Sequence, residues 1–296
     1  MSKIKNTEQG TESIGDLARL ACVVEVVAHK AGNVHPGAAF HDTTWIDFVA
    51  SAIVTAPLLD CAGERGVGPT VLACVRATRE VIGSNTNLGM ILLLAPLCAV
   101  PSDVTLCNGI VEVLEMLSQD DAEAVYEAIR LANPGGLGAR DDNDIRQPAS
   151  IGLVQAMELA AELDTVARQY TNHFADVIGR IGPRLSQKDL PVDRAMVRGH
   201  LEQMALEPDS LIRRKCGLSI AQESQARAAA VLAAGWPDSP QGMERFRDLD
   251  HWLRADGHRR NPGTSADLLA AGFFVALRER WIEHPFEWSL QTILVG

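Results

Sequence analysis

Strand signals are nearly absent from this chain. Only the last residues, W-S-L-Q-T-I-L-V, alternate apolar and polar side chains, and no strand-helix-strand succession of the kind a parallel sheet needs can be traced. What recurs is an alanine-rich apolar stripe at helical spacing. A first helix opens at an N-capping Ser13 and carries Glu25 near its C-terminal end. A second starts at Asp42 or Thr43 and places Trp45, Phe48, Val49 and Ala52 on one face. Further helices are expected over residues 68–82, 87–99, 103–117, 120–131, 148–161, 163–178, 188–205, 219–234, 240–255 and 264–281. No repeat of fixed period runs through them, which argues against a solenoid. The expectation is an all-α, single-domain, multi-helix bundle over residues 12–296, preceded by a disordered polar tail over residues 1–11.

A hydrophobic content of 47% over 296 residues is ample for a core. The formal charge of -11 argues against a nucleic-acid-binding surface, since the long-range field repels a polyanion and the basic clusters Arg213-Arg214-Lys215 and Arg259-Arg260 are too short to define a basic stripe. A nucleotide remains compatible if Mg2+ bridges carboxylates to its phosphates. The six cysteines lie mostly among apolar residues with no C-x-x-C pair, as small core residues do in a reducing compartment. No signal pattern opens the chain, and its longest apolar run, Met90 to Val100, contains Pro96 and is too short to span a bilayer. A soluble cytoplasmic protein is expected.

Four polar islands interrupt the helices. The first, K-A-G-N-V-H-P-G-A-A-F-H-D from Lys30 to Asp42, holds two glycines, a proline and two histidines between apolar supports. Gly32 and Gly37 let a ligand approach the main chain, Lys30 offers a mobile cation, and Asn33, His35 and His41 offer neutral hydrogen bonds. A lysine so placed is expected to serve the ligand and hardly the core. An interhelical turn is the alternative. The second, G-S-N-T-N-L-G from Gly83 to Gly89, leads into an apolar helix; its backbone N–H groups with Asn85, Thr86 and Asn87 form either an anion cradle or a plain N-cap. The third sets Asp141, Asp144 and the intervening Asp142 behind P-G-G-L-G, where repelling carboxylates lie either in solvent or around a cation; Mg2+ shared with substrate phosphates suits them better than a calcium loop. The fourth joins P-D-S-L-I-R-R-K, where Asp209 caps a helix, to R-R-N-P-G-T-S-A-D-L-L-A, where Thr264 and Asp267 suggest a capping box. Capping does not explain five basic residues crowded at two helix ends, and polyphosphate binding does.

In order, K-A-G-N-V-H-P-G, F-H-D with F-V-A-S-A, G-S-N-T-N-L-G, P-G-G-L-G with D-D-N-D-I, P-D-S-L-I-R-R-K and N-P-G-T-S-A-D-L-L-A resemble the motifs of the triphosphoribosyl-dephospho-CoA synthase family, from about Glu25 to Leu277. Ala31 stands where the family usually has proline. G-N-V-H and G-L-G-A-R-D-D stand where the citrate lyase branch tends to have K-P-G-L-V-D and G-A-R-G-E, so the chain looks closer to the branch of archaea and of bacteria with tetrahydromethanopterin-type one-carbon metabolism.

The resemblance implies an all-helical transferase that joins ATP to 3′-dephospho-CoA or a related cofactor and releases adenine. An acceptor ribose hydroxyl attacks the anomeric carbon, one carboxylate stabilises the positive transition state and another takes the proton. Glu25 and Asp42 are the candidates, with His35 or His41 assisting the departing adenine. Lys30, Gly32, Asn33, Asn85, Thr86, Gly89, Arg213, Lys215 and Gly263 are the nucleotide and phosphate candidates, and Asp141 with Asp144 the Mg2+ ligands. A Mg-dependent nucleotide hydrolase and a non-catalytic nucleotide binder are the competing readings. Homo-oligomerisation stays open.

Overall fold

The computed structural model describes residues 12–83, 87–132, 147–283 and 286–289. The N-terminal tail, Asn85, Thr86, Asp141, Asp144 and most of the alternating C-terminal run therefore lie outside the described residues. Fifteen α-helices account for most of the rest: α1 Ile14–Val27, α2 Trp45–Asp60, α3 Ala62–Arg65, α4 Val67–Ile82, α5 Leu88–Ala99, α6 Leu106–Glu115, α7 Gln119–Ala132, α8 Leu153–Ala160, α9 Thr165–Thr171, α10 Gly182–Leu185, α11 Val192–Leu206, α12 Ser210–Cys216, α13 Leu218–Ala233, α14 Pro240–Arg254 and α15 Gly263–Arg278. No strand occurs among the described residues, only an isolated bridge between His35 and Ala38.

Helix starts follow local chemistry. Ser13 caps α1 as expected, its hydroxyl accepting the Asp16 N–H at 3.1 Å. The second helix begins later than Asp42 or Thr43: Thr44 is its cap, and the Asp47 carboxylate accepts from both the backbone N–H and the hydroxyl of Thr44. The single helix expected over 163–178 is broken. His173 and Phe174 take left-handed backbone angles of 54° and 57°, and Gln169, Asn172 and Arg168 all donate to Asp176 beyond the break. A π-helical turn, Val177–Ile181, then leads into α10.

Helix α5 is apolar on every side and buried, at the cost of one backbone bond. Pro96 has no N–H to give the Leu92 carbonyl one turn back. The Tyr170 hydroxyl, buried between helices, donates to that carbonyl at 2.6 Å instead, so α9 mends the ladder of α5. An orphaned buried carbonyl costs about 1–3 kcal/mol, which is what this contact avoids.

Two apolar clusters result. The larger includes residues of α1, α4, α5, α7, α9 and α15, and the smaller joins residues of α11, α12, α13 and α14 with Trp236 and Ala31. The chain from Ala28 to Asn33 thus runs along the seam between them, with α11 touching both α13 and α15.

Candidate active site

The seam is polar and internally bonded. Glu25 lies in the last turn of α1 with its carboxylate almost sealed from solvent, and the Lys30 ammonium lies 2.9 Å from its Oε1. The same ammonium donates to the carbonyls of Glu25 and Ala28. Three donors thus have three acceptors within the chain, and Lys30 is wholly buried. The mobile loop cation expected from the sequence is in fact a strut beneath the loop, because the chain turns back at Ala28 and folds the side chain inward. Burial raises the Glu25 pKa while Lys30 works against it.

The next residues lock the turn to the second cluster. Gly32 adopts φ +73°, a conformation open to glycine at little cost, and its N–H donates to Asp250 Oδ1 at 2.8 Å. A side chain there would strike Leu253 and Pro262. The Asn33 side-chain nitrogen lies 3.0 Å from His200 Nε2, and the backbone carbonyl of Asn33 accepts from Arg254 at 2.6 Å. His35 Nδ1 accepts the Gly37 N–H at 3.1 Å, so a neutral ring carries its proton on Nε2, a buried atom with no partner among the described residues. Burial first, then His29, Arg254 and Lys30, bring the His35 pKa down to about 3. Such a ring is neutral at neutral pH, with an Nε2–H free to donate to a ligand, and is not an imidazolium.

Beyond Pro36 the loop is open. Asp42 is exposed, with the His41 ring 3.6 Å away and the Thr43 hydroxyl at 3.2 Å. Phe40 lies against His258, centroids 4.1 Å apart, which joins this loop to the α14–α15 connection.

On the opposite side α12 and α15 share one carboxylate. Asp209 accepts the Leu211 and Ile212 N–H groups through one oxygen and the Ser265 N–H and hydroxyl through the other. The helix expected after Asp209 is present, but the capping box of Thr264 and Asp267 is not. Pro262 is the N-cap of α15, Thr264 accepts from the Ser210 hydroxyl, and Asp267 lies one turn further along. Its carboxyl group packs on the first turn of α5, so close that a Cβ built on Gly89 would lie 2.0 Å from Oδ2. The first turn of α5, where the island expected to cradle an anion ends, therefore faces an acid of the chain itself. Desolvation, then Glu25, Asp209 and Asp164, hold the Asp267 pKa well above the carboxylate range, with Arg214 opposing.

Most of the basic crowding has local partners. Arg213 donates to the Glu162 carbonyl, Arg214 to Asp164, Arg259 to the Lys215 carbonyl, and Arg260 stacks on Trp252 while donating to its carbonyl. Among these five, the Lys215 ammonium alone has no such partner among the described residues. Burial and Arg214 lower its pKa, while Asp209 and Asp42 act the other way, which sets it between the closed and the open side. Gly263 serves packing, since a side chain there would meet Leu211.

The structure thus brings Glu25, Lys30, Gly32, Asn33 and His35 together and sets Gly89, Asp42 and Lys215 around them. Sequence reasoning missed His200, Asp250 and Arg254, which hold the loop from α11 and α14 and carry no local signal. It saw Asp267 in N-P-G-T-S-A-D but took it for a cap.

No helix among the described residues is long and apolar enough to cross a membrane. Among curated proteins no sequence matches this chain. A crystal structure of a proposed triphosphoribosyl-dephospho-CoA synthase from Archaeoglobus fulgidus is similar over 79% of this chain and 100% of its own, with a TM-score of 0.63 at 28% identity. The family model for ATP:dephospho-CoA triphosphoribosyl transferases matches residues 11–286, which takes in every element around the seam. The chain belongs to the ATP:dephospho-CoA triphosphoribosyl transferase family and is a transferase that moves the triphosphoribosyl group of ATP to dephospho-CoA.

Proposed function

We propose that transfer takes place where the Lys30–Asp42 loop faces the N-terminal turns of α5 and α15 and the C-terminal end of α12. The observation that carries this reading is the convergence of sequence-distant islands on a cluster of three carboxyl groups: Asp267 abuts Gly89, Asp209 ties α12 to α15, and Glu25 anchors the loop. Asp141 with Asp144, which lie outside the described residues, would hold a Mg2+ ion that neutralises the triphosphate of ATP. Lys215, at the boundary with the open loop, contacts the phosphates as a point charge, and Arg213 lies beside it. Asp42, exposed, takes the proton of the attacking ribose hydroxyl, whereas Glu25 acts from beneath through Lys30 and the loop. His35 donates a hydrogen bond from Nε2 to the bound nucleotide.

The hydrolase and binder readings are not favoured, since the family is one of transferases. Work in the cytoplasm fits six free thiols and soluble substrates. The test is incubation with ATP and dephospho-CoA. Free adenine and a product heavier than dephospho-CoA by one triphosphoribosyl unit are expected, both abolished by EDTA. Adenine without that product would favour the hydrolase, and ATP binding without adenine the binder.

A further inference from the structure

Loss of adenine leaves a pair of electrons on the base, and a departing purine is far better neutral than anionic. The two buried histidines near the loop are poorly suited to supply the proton. His35 is neutral through most of the pH range, as is His200, buried at the base of the loop with its pKa brought down to about 3. Asp209 is saturated by four hydrogen bonds, and Glu25 is held by Lys30.

One acid is differently placed. Asp267 is half-buried, makes no hydrogen bond among the described residues, and has room only because residue 89 lacks a side chain. The charged end of ATP belongs towards Lys215 and the open loop, because desolvating a triphosphate is costly. That leaves the uncharged base for the closed end, where α5 and α15 meet.

We infer that Asp267 is the general acid that delivers a proton to N7 of the departing adenine. This rests on the transferase reading of the same site. As the C1′–N9 bond breaks, its electron pair stays with the base, N7 takes the Asp267 proton, and the acceptor oxygen closes on C1′ as its own proton passes to a carboxylate. Adenine leaves neutral, and Asp267 regains a proton from solvent. Burial, then the carboxylates of Glu25 from α1, Asp209 before α12 and Asp164 before α9, favour the protonated form, against the Arg214 guanidinium. The positive end of α5 acts the other way, but none of its N–H groups donates to Asp267 among the described residues.

The experiment compares three donors, ATP, 7-deaza-ATP and 4-nitrophenyl riboside 5′-triphosphate, whose leaving group departs without protonation. Asp267→Asn is expected to lose at least about a hundredfold in kcat with ATP and under about threefold with the nitrophenyl donor. 7-Deaza-ATP is expected to be a poor donor for the wild type, with no further loss in the variant. An equal loss with ATP and the nitrophenyl donor would overturn the inference in favour of a structural or general-base role. Should the variant fail to fold, the wild-type pH profile decides: an alkaline fall in kcat with ATP that is absent with the nitrophenyl donor supports the acid, and identical profiles overturn it. A wild type that yields a product with no donor would sink the transferase reading itself, a distinct outcome.

Discussion

Lys30 Nζ lies 2.9 Å from Glu25 Oε1 with both side chains closed to solvent, five residues apart in the chain and on either side of the end of α1. A buried pair of this kind contributes little over an apolar replacement, but losing one partner strands a charge. Lys30→Met is therefore expected to cost about 3–5 kcal/mol in urea denaturation, and Glu25→Gln with Lys30→Met to recover much of it. A Lys30→Met protein of wild-type stability and lost ATP affinity would show that the ammonium reaches the ligand after all.

Gly89 and Asp267 make a second pair, of a different kind. In Gly89→Ala the new methyl group needs the space of Oδ2, so the acid has to turn away. Alanine favours a helical position by up to about 1 kcal/mol over glycine, which offsets part of the strain. The expected outcome is a melting temperature within a few degrees of wild type and at least about a tenfold fall in adenine release. Unchanged turnover would mean that the exact placement of Asp267 is immaterial.

The all-helical class was legible because periodicity reports burial, and burial is what α1, α5 and α15 share. Helix ends were legible where a side chain does the capping, as at Ser13 and Asp209, and not where the tertiary structure intervenes. The break at His173 depends on Asp176 gathering donors from the preceding helix, which no periodic pattern records. For the site, motif spacing located the Lys30 loop but misjudged its lysine, since whether a loop cation faces solvent depends on which carboxylate lies beneath it. His200 illustrates the limit: mid-helix in α11 it looks ordinary, and only the fold sets it against Asn33.

That histidine has a measurable consequence. Its pKa falls from 6.5 to about 3, chiefly by desolvation and then by Lys30, so the unfolded chain binds its proton more readily. A depressed value contributes stability that is fully present above pH 6.5 and is lost as the pH falls towards 3, by about 1.4 kcal/mol per pH unit for one proton. Glu25, Asp209 and Asp267, all raised, run in the opposite sense, so the difference between wild type and His200→Gln isolates the effect. The wild type is expected to lose stability relative to the variant between pH 6.5 and 4. Parallel curves would show that His200 is not held neutral.

Asp42 is exposed and leaves the start of α2 to Thr44 and Asp47, so its replacement separates chemistry from folding. Asp42→Asn is expected to change stability by less than about 0.5 kcal/mol, as most surface substitutions do. Asp47→Ala, which removes the acceptor for Thr44, is expected to cost about 1 kcal/mol and to leave kcat alone. An amide cannot accept a proton at neutral pH, so if Asp42 receives it from the attacking hydroxyl, Asp42→Asn loses about a hundredfold or more in kcat while its Kd for ATP stays within a fewfold. Because proton acceptance serves the nucleophile and not the leaving group, the loss should be the same with ATP and with the nitrophenyl donor, opposite to the pattern expected for Asp267→Asn. Near-wild-type turnover in Asp42→Asn would remove it from the chemistry and leave the acceptor's proton to another base.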